Sequence, residues 1–128
     1  MIYLDASVVL ARLFAEPRSP PDRFWAEPLI SSRLLEYEVW SRVHARRPVA
    51  AYYEDAGELL ARVELIELAT HVLLRALEPF PIPVRTLDGL HLATLDFLRA
   101  QGDRVELASC DDRLVSAAQA LGIPLADL

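Results

Sequence analysis

The sequence predicts an α/β fold of three layers, a mostly parallel central sheet flanked by helices. Short apolar runs alternate with amphipathic segments along the whole chain, and strands that alternate with helices pair in parallel. Helical segments outnumber strands, which places helices on both faces of the sheet. The stretch Thr86 to Ala100 is apolar nearly all round, through Leu87, Leu90, Leu92, Ala93, Leu95, Phe97 and Leu98. A helix of that kind is central and buried.

The elements follow in order. Ile2 to Leu4 is a short buried strand ending at Asp5, and Ser7 to Ala15 a helix stopped before Pro17. Ser19 to Ala26 is a short helix with Pro20 and Pro21 near its start. Leu29-Ile30 forms a strand stub, after which Ser32 caps a helix running to about Arg47. Pro48 suits the first turn of another helix, reaching Arg62 with Gly57 as its weak point. Val63 to Leu68 is strand-like, and Thr70 opens a short helix ending by Pro79. The run Pro79-Phe80-Pro81-Ile82-Pro83 is extended or irregular. After the buried helix, Gly102 makes a break and Val105 to Cys110 a strand. Asp111 to Leu121 is a helix with Leu114, Ala117, Ala118 and Leu121 on one face and Gly122 at C′.

With 128 residues, 53% of them hydrophobic, the chain is expected to form one domain over 1–128 and to bury a true core. That apolar fraction excludes disorder. No run of about 18 apolar residues exists, so no membrane partner is expected. The start Met-Ile-Tyr-Leu-Asp has no basic region and is not expected to be a signal peptide. A single cysteine fits a reducing, cytoplasmic location. The net charge of −6 argues against nucleic-acid binding by bulk electrostatics. All 13 basic residues are arginine, so mechanisms that need lysine are excluded.

Sites in an open parallel sheet form beyond the carboxyl ends of the strands. Asp5 directly follows the first strand, and Asp111 the strand at 105–110. Asp88 lies in the first turn of the buried helix, and Glu36 near the start of the helix capped by Ser32. Singly, each has an ordinary reading: Asp5 as an N-cap, Asp88 as a partner of the helix dipole, Glu36 as a surface acid. Together they converge on one end of the sheet. Four clustered carboxylates repel one another and demand a cation. With lysine absent, arginine or a divalent ion must supply it, and oxygen-only ligands suit Mg²⁺ or Mn²⁺. Such an ion supports phosphodiester hydrolysis.

Four segments carry a family resemblance. Tyr3-Leu4-Asp5-Ala6-Ser7, Leu35-Glu36-Tyr37-Glu38-Val39, Leu87-Asp88-Gly89-Leu90-His91-Leu92-Ala93 and Ser109-Cys110-Asp111-Asp112-Arg113-Leu114 resemble the four acidic motifs of PIN domains. The similarity is closest to the VapC toxins of VapBC toxin–antitoxin pairs and spans residues 2 to about 122. It implies a PIN-like fold and an Mg²⁺- or Mn²⁺-dependent ribonuclease. It also implies a homodimer acting on RNA and restrained by a VapB-type antitoxin. Asp5, Glu36, Asp88 and Asp111 fall on the family's acidic, metal-holding and catalytic positions, with Asp5 and Asp88 leading. Ser109 stands where the family often has threonine, and Cys110 and Asp112 adjoin Asp111 in that motif.

Other residues complete the reading. His91 shares a helix face with Asp88, where it is a candidate ligand or proton carrier; the resemblance favours a structural role or one that supports the ligands. Ser109 and Asp112 match capping-box spacing, so Asp112 is read first as a cap. Arg42, Arg46 and Arg47 cluster near one helix end, where they either favour the dipole or contact RNA phosphates. Arg85 and Arg113 flank the acids in sequence and are candidates to touch the scissile phosphate. Trp25 and Trp40 are expected in core or interface, and His44 and His71 at the surface. Two other functions stay open: an aspartyl-nucleophile phosphatase using Asp5, and a catalytically silent PIN-like binding module. Ser7 stands where a haloacid-dehalogenase-like site would want a second acid.

Overall fold

The computed structural model describes residues 1–128. Four strands form one parallel sheet in the order β3-β2-β1-β4. They are β1 (Ile2–Leu4), β2 (Leu29–Ser32), β3 (Val63–Ile66) and β4 (Glu106–Ala108). Tyr3 pairs with Ile30 on one side and Leu107 on the other. Six helices surround the sheet: α1 (Ala6–Leu13), α2 (Leu34–His44), α3 (Ala50–Ala61), α4 (Thr70–Ala76), α5 (Thr86–Ala100) and α6 (Asp112–Ala120). No helix is long and apolar enough to cross a membrane.

The three layers follow from the period-2 alternation of the strands. Leu4, Leu29 and Ala108 face one cluster, built with Val8, Val9, Leu35, Val39, Val43 and Leu60 of α1, α2 and α3. Their neighbours Tyr3, Ile30 and Leu107 face the opposite cluster, with Leu92, Leu95 and Leu98 of α5 and Leu114, Ala117 and Ala118 of α6. The central strands β1 and β2 are therefore buried on both faces, as parallel sheets require, while the edge strands β3 and β4 expose Glu64 and Glu106.

The element boundaries shift in ways that have local causes. Helix α1 stops at Leu13 because Ala15 adopts φ +52°, which no right-handed helix continues. The expected helix at 19–26 shrinks to a 3-10 helix at Asp22–Ala26. Strand β2 is longer than a stub and runs through Ser31 and Ser32. The N-cap of α2 is Arg33, not Ser32, which ends β2, although the Ser32 hydroxyl accepts the Leu34 N–H at 3.1 Å. Helix α2 ends at His44, short of Arg47. Gly102 and Gly122 take positive φ at helix ends, where glycine has no Cβ penalty. Beyond Gly122, Leu125 bridges to Leu107 in parallel, an edge contact too short to leave a sequence signal.

Candidate functional site

Parallel pairing brings the carboxyl ends of β1, β2 and β4 together, and a cleft of about 710 Å³ opens there. Asp5, Asp88 and Asp111 line it together with Glu38 of α2. Asp5 leaves β1 and caps α1. All its hydrogen bonds fall on one oxygen: Oδ2 accepts the Ser7 hydroxyl at 2.5 Å, the Ser109 hydroxyl at 2.9 Å and the Ser7 N–H at 3.4 Å. Oδ1 accepts no hydrogen bond from the chain. Ser7 in turn accepts the Cys110 N–H at 2.9 Å, and Ser109 accepts the Asp111 N–H at 3.0 Å. The two serines thus tie the end of β1 to the end of β4. Burial raises the Cys110 thiol above its ordinary range.

Asp111 caps α6, its Oδ1 accepting the Arg113 N–H at 2.9 Å. The cap is therefore Asp111. Asp112, read from the capping-box spacing as the cap, is the first residue of α6 and stands exposed at a smaller neighbouring pocket. Arg85, just before α5, spans two acids. Its Nε donates to Asp88 Oδ2 at 3.1 Å, and a terminal nitrogen donates to Asp111 Oδ2 at 2.7 Å. The hydrogen bond donated to Asp88 and the charges of Asp88 and Asp111 hold this guanidinium above its already high range.

Opposite Asp5, Glu38 meets His91 of α5. His91 Nε2 lies 2.5 Å from Glu38 Oε1, and Nδ1 lies 2.7 Å from the Tyr3 hydroxyl. Burial is the largest effect on the His91 ring and disfavours its charged form. The Glu38 hydrogen bond and the charges of Glu38, Asp5 and Asp88 together outweigh it, so the pKa is raised. Burial likewise raises the Tyr3 hydroxyl and keeps it protonated. Ligand-type atoms of Asp5, Glu38 and His91 lie within 4.8 Å of one another, with both His91 nitrogens already hydrogen-bonded to Tyr3 and Glu38.

Residues 2–120 match the family model described as the PIN domain. The chain belongs to the PIN-domain family. Among its relatives is "Ribonuclease VapC46" of Mycobacterium tuberculosis, 34% identical over 126 residues, which cover 95% of this chain and 93% of the relative. "Ribonuclease VapC35" of the same organism is 29% identical, covering 96% of this chain and 93% of its own length. "Ribonuclease VapC47" is 29% identical, with 95% and 93% covered.

In this PIN domain Glu36 does not join the other acids. It pairs with Arg33 at 3.4 Å, and Arg33 pairs with Glu67 at 2.6 Å, away from the cleft. The Glu36 side chain is 39% exposed, against 17% for Glu38. The reason is helical register. Leu35, Val39 and Val43 bury one face of α2. Glu38, Ser41 and Arg42 form the adjoining i, i+3, i+4 face that lines the cleft, while Glu36 sits roughly 200° from Glu38 around the axis. The Glu38-to-Arg42 spacing was the signal available in the sequence.

Of the expected arginines, Arg42, Arg46 and Arg85 line the cleft of this PIN domain, joined by Arg18. The Arg46 guanidinium lies 4.0 Å from the centre of the Phe14 ring, a cation–π contact that orients it. Arg18 is anchored by a 2.9 Å hydrogen bond to the Cys110 carbonyl. Arg47 lies past the end of α2, and Arg113 lines the smaller pocket beside Asp112. Trp25 is core, and His44 and His71 are exposed.

Proposed function

We propose that this PIN domain is an endoribonuclease, the toxin of a type II toxin–antitoxin pair, that hydrolyses RNA phosphodiester bonds at an Mg²⁺ or Mn²⁺ site. Asp5, Glu38, Asp88 and Asp111 would hold the ion. Glu38 takes the role that the sequence assigned to Glu36. The observation that carries the reading is the Asp5 carboxylate, buried with Oδ2 triply hydrogen-bonded and Oδ1 left open. Around it stand hard oxygen donors, and the only ring nitrogens near are already hydrogen-bonded. That donor set fits Mg²⁺ or Mn²⁺ rather than a softer metal.

A divalent ion held there supplies the positive charge that a developing phosphoryl transition state needs. The chain's own residues do the rest. Arg42 and Arg46 bind the RNA backbone, so an acidic protein grips its substrate through one local wall. Ser7 and Ser109 hold the Asp5 carboxylate in one rotamer. Arg85 fixes Asp88 and Asp111 relative to each other. The same reading makes RNA the substrate, a VapB-type antitoxin the partner, a homodimer the working form and the cytoplasm the compartment.

The test uses purified, partner-free protein and total cellular RNA with Mg²⁺ or Mn²⁺. Discrete fragments are expected, and they disappear with a chelator and in Asp5→Asn. Cleavage that survives chelation refutes the metal site, and cleavage that survives Asp5→Asn refutes the assignment of the acids.

A further inference from the structure

Tyr3 and His91 are the largest polar side chains with no exposure at all, and both lie directly behind the acid cluster. Burying two such groups is costly unless every polar atom is satisfied. Here each is. The Ser32 N–H donates to the Tyr3 oxygen at 3.2 Å, the Tyr3 hydroxyl meets His91 Nδ1, and His91 Nε2 meets Glu38. The two rings stand nearly perpendicular, at 83°. The chain of contacts begins at backbone that the sheet holds rigid and ends on a carboxylate lining the cleft.

We infer that Tyr3 and His91 are positioning residues for Glu38, and that the Tyr3–His91–Glu38 chain aims one carboxylate oxygen at the cation site. The inference rests on the reading of Glu38 as a metal-holding acid. His91 itself is no ligand, because both ring nitrogens are occupied. In either protonation state its Nε2–H faces Glu38. When neutral it accepts the Tyr3 proton at Nδ1, and when charged it donates from both nitrogens. Only Oε1 of Glu38 is taken, so Oε2 remains for a ligand. A glutamate has three side-chain torsions to restrict, one more than an aspartate. Asp5 is fixed by Ser7 on its own turn and by Ser109 just past β4, whereas Glu38 reaches the site from α2, across the end of the sheet. The bond to α5 supplies the restraint that α2 alone lacks, as outer hydrogen bonds do for metal ligands generally.

The experiment measures Mn²⁺ affinity by calorimetry, with thermal melting as a control for folding. It compares the native chain, Tyr3→Phe, His91→Gln, His91→Leu, Glu38→Gln and the double variant Tyr3→Phe/Glu38→Gln. Tyr3→Phe keeps the ring and its packing, and is expected to weaken Mn²⁺ on the order of tenfold. His91→Gln keeps an amide donor near the Nε2 position and is expected to weaken it less than His91→Leu does. In the Glu38→Gln background the effect of Tyr3→Phe should vanish, because nothing remains to be positioned. An equal effect in both backgrounds, or a lower melting temperature with unchanged Mn²⁺ affinity, overturns the inference and leaves Tyr3 and His91 as core. A native chain that binds no Mn²⁺, or a Glu38→Gln variant that binds it as well as the native chain, overturns the metal-site reading and the inference with it.

Discussion

Two clefts of about 720 and about 710 Å³ lie at opposite ends of the same parallel sheet. The first is lined by Met1, Ile2, Val105 and Glu106 at the amino ends of β1 and β4, the second by the acids beyond the carboxyl ends. Both contain acids and arginines. They differ in where the charge sits. In the first cleft Arg23, Glu27, Arg99, Arg104, Glu106 and Asp127 are all exposed to water. In the second, Asp5 and Asp88 are buried, and each is held by dedicated hydrogen bonds. Solvated charges at a surface interact weakly, whereas buried ones are kept only where something compensates them. Volume does not distinguish these clefts, and desolvated charge does.

The largest expected effect tests that contrast directly. Asp5→Asn or Asp88→Asn should cut RNA cleavage by more than about a hundredfold, since each removes an anionic oxygen ligand at little change in volume. Glu106→Gln and Arg104→Gln, in the other cleft, should stay within about twofold. Comparable losses at both ends would erase the distinction. Initial rates on one RNA substrate decide it.

A second measurement sharpens it through stability. At Mn²⁺ a hundred times above its dissociation constant, the native chain should gain about 2.7 kcal/mol. The gain should persist in Arg104→Gln and disappear in Asp5→Asn/Asp88→Asn. Melting curves with and without Mn²⁺ read this out, and a gain unaffected by the two asparagines would place the ion elsewhere.

The third contrast lies within α2. Glu38→Gln should lower cleavage on the order of tenfold, while Glu36→Gln, facing Arg33, should change it by about twofold or less. The reverse ranking would restore Glu36 to the site. The smallest effects belong to the arginine wall. Arg42→Gln and Arg46→Gln should raise KM for RNA several-fold with kcat nearly unchanged. Each should reduce the slope of log affinity against log salt by about 0.7.

How far the sequence alone reached follows the same physics. The alternation of short apolar strands with helices was legible, because strands whose neighbours Tyr3 and Leu4, or Leu107 and Ala108, face different layers must be apolar throughout. Asp5, Asp88 and Asp111 were legible because each is tied to an element boundary, and boundaries carry signals of their own. Glu36 and Glu38 lie on one helix two residues apart, and the choice between them depends on which face of α2 turns to α5. That orientation is set by Leu35, Val39 and Val43 packing on the sheet. The partner that marks Glu38 is His91, 53 residues away, and no local pattern connects them. Arg85 was read as a neighbour in sequence and a candidate contact to the scissile phosphate, not as a partner of the acids. Its bridge from Asp88 to Asp111 depends on how α5 and α6 enter the fold.

That bridge changes what it means to fill the site. Asp88 and Asp111 already share a cation, and it is tethered to the residue that opens α5. A tethered group acts at an effective concentration set by its short leash, not by the solution. Any free cation entering between these two carboxylates therefore competes with a resident one. Occupancy is then an exchange governed by mass action, in which the Arg85 guanidinium must give up its hold on one or both carboxylates before another cation can take them.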